Sequence, residues 1–518
     1  MQRFRTLGEI TAAHAAATPD QVAVVFDGCT TTHARLHDEV LRAVAGLRGL
    51  GVGKGDRVGW LGLNHGDYVT VMMACFRLGA VLVAINARLV AREIAYILKD
   101  AEVGVLVAES AFLGVVADAG APLAALLLVD APHDARPAFR DWLAAHDPDP
   151  AMADLDPEDI ALQLYTSGTT GFPKGALLSH RALLGTVAKG PQTGEAWATW
   201  SPDDVALVAM PLFHIGGTGW GLHALEAGAT IVILPRPDIA GIVDAIERHR
   251  ITRAFVVPAV LAAILNHLEA HPADLSAMRA LFYGASPIPL DVLRRSLLAF
   301  PNAGFIQCYG ATETCGTVVY LPPSDHDPAG NPRMLGCGKP YPGNEVRILG
   351  GDGEDVAVGE VGEVAIRSVS VMSGYHNNPD ASARAVVDGW YRTGDAGFLD
   401  ADGYLTLFDR VKDMIVSGGE NIYPAEVENV LHDHPAVADC AVIGVPDERW
   451  GEAVKAIVVA KGDLDPAELI AFAKARIAGY KVPKSVDFID VLPRNPSGKI
   501  LKKDLRAPYW PEGGRKIG

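Results

Sequence analysis

Cysteine is scarce: six residues spread over 518, at 29, 75, 308, 315, 337 and 440, with no C-x-x-C pair. So sparse a set excludes a disulfide scaffold and predicts unpaired thiols in a reducing compartment. Long hydrophobic runs are missing too. No run reaches the ~18 residues of a membrane helix, and the apolar stretch 69–86 is broken by Arg77. The N-terminus, MQRFRTLGEITAAHAA, lacks the apolar core of a signal peptide. These absences together predict a soluble, cytoplasmic protein without a transmembrane segment. Basic charge is in deficit: Lys plus Arg is 45 against 62 Asp plus Glu, a net charge of −17. That balance argues against nucleic acid as the main partner, which needs a basic face, but leaves phosphate ligands held by local groups open. Internal repeats, heptad arrays and low-complexity tracts are absent.

What is present is a chain rich enough in apolar residues, 49%, to bury sizeable cores, with a length that predicts two to four packed units at roughly 100–200 residues each. Short apolar runs (VAVVF at 22–26, RVGWLGL at 57–63, AVLVAI at 80–85, VGVLVA at 103–108) alternate with amphipathic segments such as 32–51. Strand–helix alternation of this kind predicts α/β layers with largely parallel sheets, continuing to about residue 320. From 336 to 410 Gly and Pro become dense and the strands short (EVRIL, GEVAIR, GYLTLFDR), with Asp402-Gly403 marking a hairpin; this predicts an antiparallel subdomain. A compact α+β tail follows, with helices from Pro424 and from Pro466 to about Ile477. The main boundary is expected near Asp409, giving domains 1–409 and 410–518.

The strongest local signal is Tyr165-Thr166-Ser167-Gly168-Thr169-Thr170-Gly171-Phe172-Pro173-Lys174-Gly175, expected between a strand, IALQLY, and a helix starting near Ser179. Glycines let successive backbone N–H groups converge on an anion, the hydroxyls add donors, and Lys174 adds a charge for phosphate. No frame fits a Walker A loop.

Further motifs follow in order: Pro211-Leu212-Phe213-His214-Ile215-Gly216-Gly217, Gly284-Ala285-Ser286-Pro287, Gln307-Cys308-Tyr309-Gly310-Ala311-Thr312-Glu313, Tyr391-Arg392-Thr393-Gly394-Asp395, Asp409-Arg410, Ser417-Gly418-Gly419-Glu420 and Pro493-Arg494-Asn495-Pro496-Ser497-Gly498-Lys499. This series resembles the AMP-forming acyl-CoA synthetases (fatty-acid and aryl-CoA ligases) of the adenylate-forming superfamily, over nearly the whole chain. The resemblance implies an α/β fold: a large N-terminal domain of two layered α/β subdomains plus a distorted β-barrel, and a small mobile C-terminal α+β domain turning on a hinge at Asp409.

The resemblance also implies site roles. ATP or AMP would lie against Thr166, Ser167, Gly168, Thr169, Thr170 and Lys174, against Gly284, Ala285 and Ser286, and against Gln307, Tyr309 and Gly310, with Tyr309 stacking on the adenine. Thr312 would contact the α-phosphate, Asp395 the ribose, and Arg410 the nucleotide again. Glu313 would bind Mg²⁺, with Thr166 as a second oxygen donor; hard cations take such ligands. His214, Ile215, Gly217, Gly310 and Ala311 would line the acyl site, and Gly418, Gly419, Trp450 and Tyr480 the CoA path. Lys499 would stabilise charge developing as a carboxylate attacks the α-phosphate; Lys174, Thr312 and His214 complete the catalytic set. Residues 480–518 carry nine Lys/Arg against four Asp/Glu, a local reversal that suits a phosphate site.

The activity implied is an acyl-CoA synthetase using ATP, Mg²⁺ and CoA. A carboxylate and MgATP give acyl-AMP and pyrophosphate; the CoA thiol then takes the acyl group and AMP leaves. Amino-acid-activating relatives carry Asp where His214 stands, so a plain carboxylic acid is expected. The residues 216–219 offer small apolar positions with no charged anchor, which suits a medium or long fatty acid; aryl, arylpropenoic and steroid-side-chain acids fit as well. Two rivals stand beside this reading: adenylation for a carrier protein in trans, and an inactive nucleotide-binding sensor. A homodimer is an open expectation.

Overall fold

The computed structural model describes residues 4–130, 138–166, 173–410, 413–417, 420–447, 449–494 and 500–510, with backbone alone at 409, 410, 420 and 421. Two large sheets carry the first two-thirds of the chain. One has seven strands, in the order Gly374–Tyr375, Lys174–Ser179, Ile160–Thr166, Val81–Ile85, Arg57–Leu61, Val103–Ala108, Ala125–Leu128. From Ile160–Thr166 onward its pairs are parallel. The other has nine strands and runs parallel from Gly304–Ala311 through Ala280–Gly284, Arg253–Val256, Val205–Val208 and Thr230–Ile233 to Val22–Phe26. Antiparallel strands close its two edges.

The helix Gly66–Leu78 shows how the layers join. It is buried on every side from Asp67 to Leu78, as an all-round apolar helix must be. Arg77, which interrupts the apolar pattern, hydrogen-bonds the carbonyls of Gly8 and Pro150. Gly79 ends the helix at φ +76° and hands the chain to the buried strand Val81–Ile85. The stretch 69–86 is thus a core helix and a core strand. Among the described residues no helix is long and apolar enough to cross a membrane, and the six cysteines are free thiols.

Beyond residue 340 the texture changes as expected. Glu345–Leu349, Gly362–Arg367, Trp390–Leu399, Val386–Val387 and Leu405–Arg410 form an antiparallel sheet in which the long strand Trp390–Leu399 is shared by three partners. Gly403, at φ +79°, turns the hairpin into Leu405–Arg410. A separate sheet begins at Ile415: the hairpin Val437–Asp447/Gly451–Ala460, with Ile415–Ser417, Glu420–Ile422 and Ser485–Phe488. Helices Pro424–His432 and Pro466–Lys474 pack Val427, Leu431, Leu469 and Ala473 onto its apolar face.

One local expectation is corrected. The Gly/Ser/Thr-rich segment joins two antiparallel strands, Ile160–Thr166 and Lys174–Ser179, with Thr166 paired to Lys174. The helix His180–Lys189 starts where expected, with Ser179 accepting the N–H of Ala182 as its cap, but the strand Lys174–Ser179 comes before it. Lys174 therefore stands at a strand end, opposite Thr166.

Candidate active site

The strand Gly304–Ala311 delivers Tyr309, Gly310 and Ala311 to one edge of the nine-stranded sheet, beside the end of Ala280–Gly284. Two glycines are obligatory there. A β-carbon on Gly284 would lie 2.2 Å from the Cys308 carbonyl oxygen, and one on Gly310 would lie 1.9 Å from that of Gly316. Ala285 follows with φ +67°, a conformation costing a non-glycine residue roughly 1–2 kcal/mol; strain of this kind concentrates at functional sites.

After Ala311 the chain makes the tight turn Thr312–Thr314, locked by Thr314, whose hydroxyl accepts from the Ala311 N–H at 2.9 Å and donates to the Gly316 carbonyl at 2.8 Å. The turn aims the buried Glu313 across to the other large sheet. Its Oε1 accepts from Thr166 at 3.2 Å and from Tyr375 at 2.9 Å, and Lys174 lies 4.9 Å from the Tyr375 ring centroid. Oε2 makes no hydrogen bond among the described residues. Lys174, Thr166 and Glu313, distant in sequence, thus meet at the seam between the sheets. One carboxylate with a neighbouring hydroxyl fits Mg²⁺, which takes one or two protein oxygens and completes its shell with water and phosphate. Among the described residues no cluster of three His, Cys, Asp or Glu offers a softer metal site.

Tyr309 donates its phenol to Asp395 Oδ2 at 2.8 Å. Burial, then the Asp395 charge, push that phenol well above its ordinary pKa, so it stays a neutral donor. Asp395 follows Gly394, at φ +70°. The Gly394 N–H bonds Glu363 at 3.1 Å and that of Asp395 bonds the Thr393 hydroxyl at 3.0 Å. Backbone pairing sets Arg410 opposite Asp395 and Asp409 opposite Ala396. Gln307 turns its amide toward Cys337 Sγ, 3.7 Å away.

His214 precedes the helix Ile215–Ala227. Its Nε2 is buried and has no partner among the described residues. Burial, and secondarily Arg88, lower its pKa to about 4, so the imidazole is neutral at pH 7. Ile215 lies against Gly316 and Gly219. Gly217 departs from the expected acyl lining: its missing β-carbon would sit 2.2 Å from the Pro211 oxygen and 2.8 Å from that of Met210. This glycine lets the helix start close to the preceding turn and presents no room to a ligand. Gly219, facing only Ile215 and the Cys315 carbonyl at ordinary contact distance, is the position with space.

In turns flanking the C-terminal sheet, Trp450 and Tyr480 are 42% and 43% exposed, and among the described residues neither ring stacks on the other. Gly451 pairs with Ser417, which brings Trp450 beside the strand leading to Gly418. Ser167, Gly168, Thr169, Thr170, Gly418, Gly419 and Lys499 lie outside the described residues. Tyr375, which holds Glu313, belongs to no motif legible in the sequence; a two-residue strand brings it in. The buried Lys189 was equally without signal.

Comparison with known proteins agrees with this geometry. The chain is 41% identical over 520 residues to a fatty acid–[acyl-carrier-protein] ligase of Streptomyces coeruleorubidus, covering 99% of this chain and 98% of that one. It is 41% identical over 511 residues to a feruloyl-CoA synthase of an Amycolatopsis species, covering 98% and 100%. The crystal structure of the anthranilate CoA ligase AuaEII with anthranoyl-AMP superposes with a TM-score of 0.89 at 27% identity, covering 98% of each chain. The AMP-binding enzyme model matches residues 11–376 and the AMP-binding enzyme C-terminal domain model residues 426–499, and the chain belongs to the AMP-binding enzyme family.

Proposed function

We propose that this enzyme is an AMP-forming acid–thiol ligase that activates a carboxylic acid as acyl-AMP and passes the acyl group to CoA. The observation that carries the reading is the convergence of Glu313, Thr166, Tyr375 and Lys174 on one seam, with the Tyr309–Asp395 pair beside it.

A carboxylate is a poor acylating species, and joining it to AMP supplies a leaving group. Glu313 and Thr166 would hold Mg²⁺, which offsets phosphate charge when bound. Lys174 adds a cation on the same side, and Tyr375 fixes the Glu313 carboxylate so that it does not have to reorganise. Asp395 would accept the ribose hydroxyls. The neutral His214, with an unsatisfied buried nitrogen, would donate that N–H to the carboxylate of the acid. Lys499 would stabilise charge at the attack on phosphorus. In the second half the thiol attacks the acyl carbonyl and AMP departs with one carboxylate oxygen. Residues 1–409 and 410–518 would form the two domains, with Asp409 as hinge, since Leu405–Arg410 ends one sheet and Ile415 begins the next. The acid is a plain carboxylic acid with an apolar body, fatty or aryl.

A second acceptor has support of its own: one relative at 41% identity is named for an acyl-carrier protein and another for CoA. Offering enzyme-bound acyl-AMP to CoA and to a phosphopantetheinylated carrier protein in parallel decides. Thioester on CoA at the higher kcat/KM supports the proposal; transfer to the carrier alone overturns it.

A further inference from the structure

The residues 216–219 carry no charge, but a cation reaches their neighbourhood from another helix. Lys189, in the last turn of His180–Lys189, is 3% exposed. Its ammonium donates to Ser368 Oγ at 2.8 Å and Ser370 Oγ at 2.7 Å. Among the described residues no carboxylate pairs with it, so one of its three N–H donors is unused. Burial lowers its pKa to about 8, still high enough to keep it mostly protonated at neutral pH. A buried, unneutralised cation is costly, and a methionine of similar volume would fill the space without that cost.

The surroundings tie Lys189 to the acyl motif. Ile215, Gly219 and His223 lie at i, i+4 and i+8, one face of the helix Ile215–Ala227. Ile215 sits beside Gly316, and Gly219 faces the Cys315 carbonyl across open contact distance. The helix His180–Lys189 packs against the helix Ile215–Ala227, and both pack against the strand Gly316–Leu321. Cys315 stands two residues after Glu313. The face therefore leads from His214, past a glycine, to Lys189, over a helical rise of about 12 Å from Ile215 to His223. His223, half-buried with its ring 6.5 Å from that of Trp200, stands at that end of the helix.

We propose that Lys189, with Ser368 and Ser370 around it, forms a subsite for an acceptor oxygen at the end of the acid remote from the reacting carboxylate. The preferred substrates are then acids bearing a distal hydroxyl, carbonyl or second carboxylate, and methyl-ended acids are poorer. This rests on the ligase reading above, with Lys189 a specificity residue rather than part of the reaction.

The test uses the full-length enzyme and matched acids: octanoic acid, its ω-hydroxy acid and its ω-dicarboxylic counterpart, and cinnamic against para-hydroxycinnamic acid. Acid-dependent pyrophosphate release gives kcat/KM for each. We expect wild type to favour an oxygen-bearing member of a pair, and Lys189→Met to reduce that preference about 10–100-fold, the worth of a hydrogen bond to a charged group. A winning dicarboxylic acid identifies an anionic ligand group, a winning hydroxy acid a neutral one. Preference for the methyl-ended or unsubstituted acid in every pair, or an unchanged ratio in folded Lys189→Met, overturns the subsite. Should that variant fail to fold, the wild-type ranking decides alone. Absence of pyrophosphate release with every acid would instead refute the ligase reading. The subsite is then judged by thermal protection: oxygen-bearing acids must protect wild type more than Lys189→Met, and equal protection overturns it.

Discussion

Alanine at Gly217 and at Gly219, two residues apart on one helix, should have opposite effects. At Gly217 the new β-carbon would sit 2.2 Å from the Pro211 oxygen, which also accepts the His214 N–H at 3.0 Å. Relief requires the His214 turn to move by about 1 Å. Overpacking of this kind costs about 1–3 kcal/mol, and the gain in helix propensity returns at most about 1 kcal/mol. The activity loss should exceed the stability loss, because a 1 Å misplacement of a site group can cost about 10²-fold. At Gly219 the β-carbon would meet Ile215 Cδ1 at 3.4 Å and the Cys315 oxygen at 4.0 Å, both tolerable. Gly219→Ala should therefore gain up to about 1 kcal/mol, and Gly219→Leu should fill the space beside it and shorten the accepted acid. Urea denaturation midpoints, read with pyrophosphate release over acids of increasing length, measure both effects. A stable and fully active Gly217→Ala, or a Gly219→Leu with the wild-type acid profile, would refute the reasoning.

Glu313→Gln and Asp395→Ala should each impair ATP-dependent turnover strongly, and Tyr375→Phe, which frees the Glu313 carboxylate to reorient, should raise the Mg²⁺ concentration needed for half-maximal rate; near wild-type kinetics at limiting MgATP would exclude these roles. Burial lowers His65, His180, His214, His223 and His326 from 6.5 to about 4, so the unfolded chain binds more protons between those values. Stability should be full above pH 6.5 and fall as pH drops toward 4, by at most about 1.4 kcal/mol per pH unit for each histidine. Asp67, raised to about 6 by burial, works in the opposite sense and offsets part of the loss; a urea midpoint unchanged between pH 7 and pH 5 would contradict the assignment. Lys499→Ala should lower acyl-AMP formation about 10²–10³-fold while sparing thioester formation from supplied acyl-AMP, and Gly419→Leu should do the reverse; equal loss of both steps in both variants would exclude domain alternation.

Much of the fold was legible because many of its strands are largely buried and read as continuous apolar runs: 22–26, 57–61, 81–85 and 103–108 all appear as strands. Strand order was not legible, since Val22–Phe26 pairs with Thr230–Ile233, a partner some two hundred residues away that no local pattern specifies. The strand Lys174–Ser179 was hidden because its short run continues directly into a helix. Motif residues such as Glu313 and Asp395 could be picked out by chemistry, whereas Tyr375 and Lys189 could not. Lys189 reads as an ordinary basic residue at a helix C-terminus; its serine partners come from the segment 368–370, far away in sequence. Gly217 and Gly219 look alike in sequence; the difference lies in which carbonyl each one faces.

The central claim is that a carboxylate oxygen attacks the α-phosphorus of ATP in this site. It is tested most directly by supplying an accepted acid labelled with heavy oxygen in its carboxylate, with MgATP and CoA, and analysing the nucleotide product by mass spectrometry. The account predicts AMP and pyrophosphate, with one labelled oxygen carried into each AMP. Unlabelled AMP, ADP with phosphate, or ATP left intact beside every acid would contradict it.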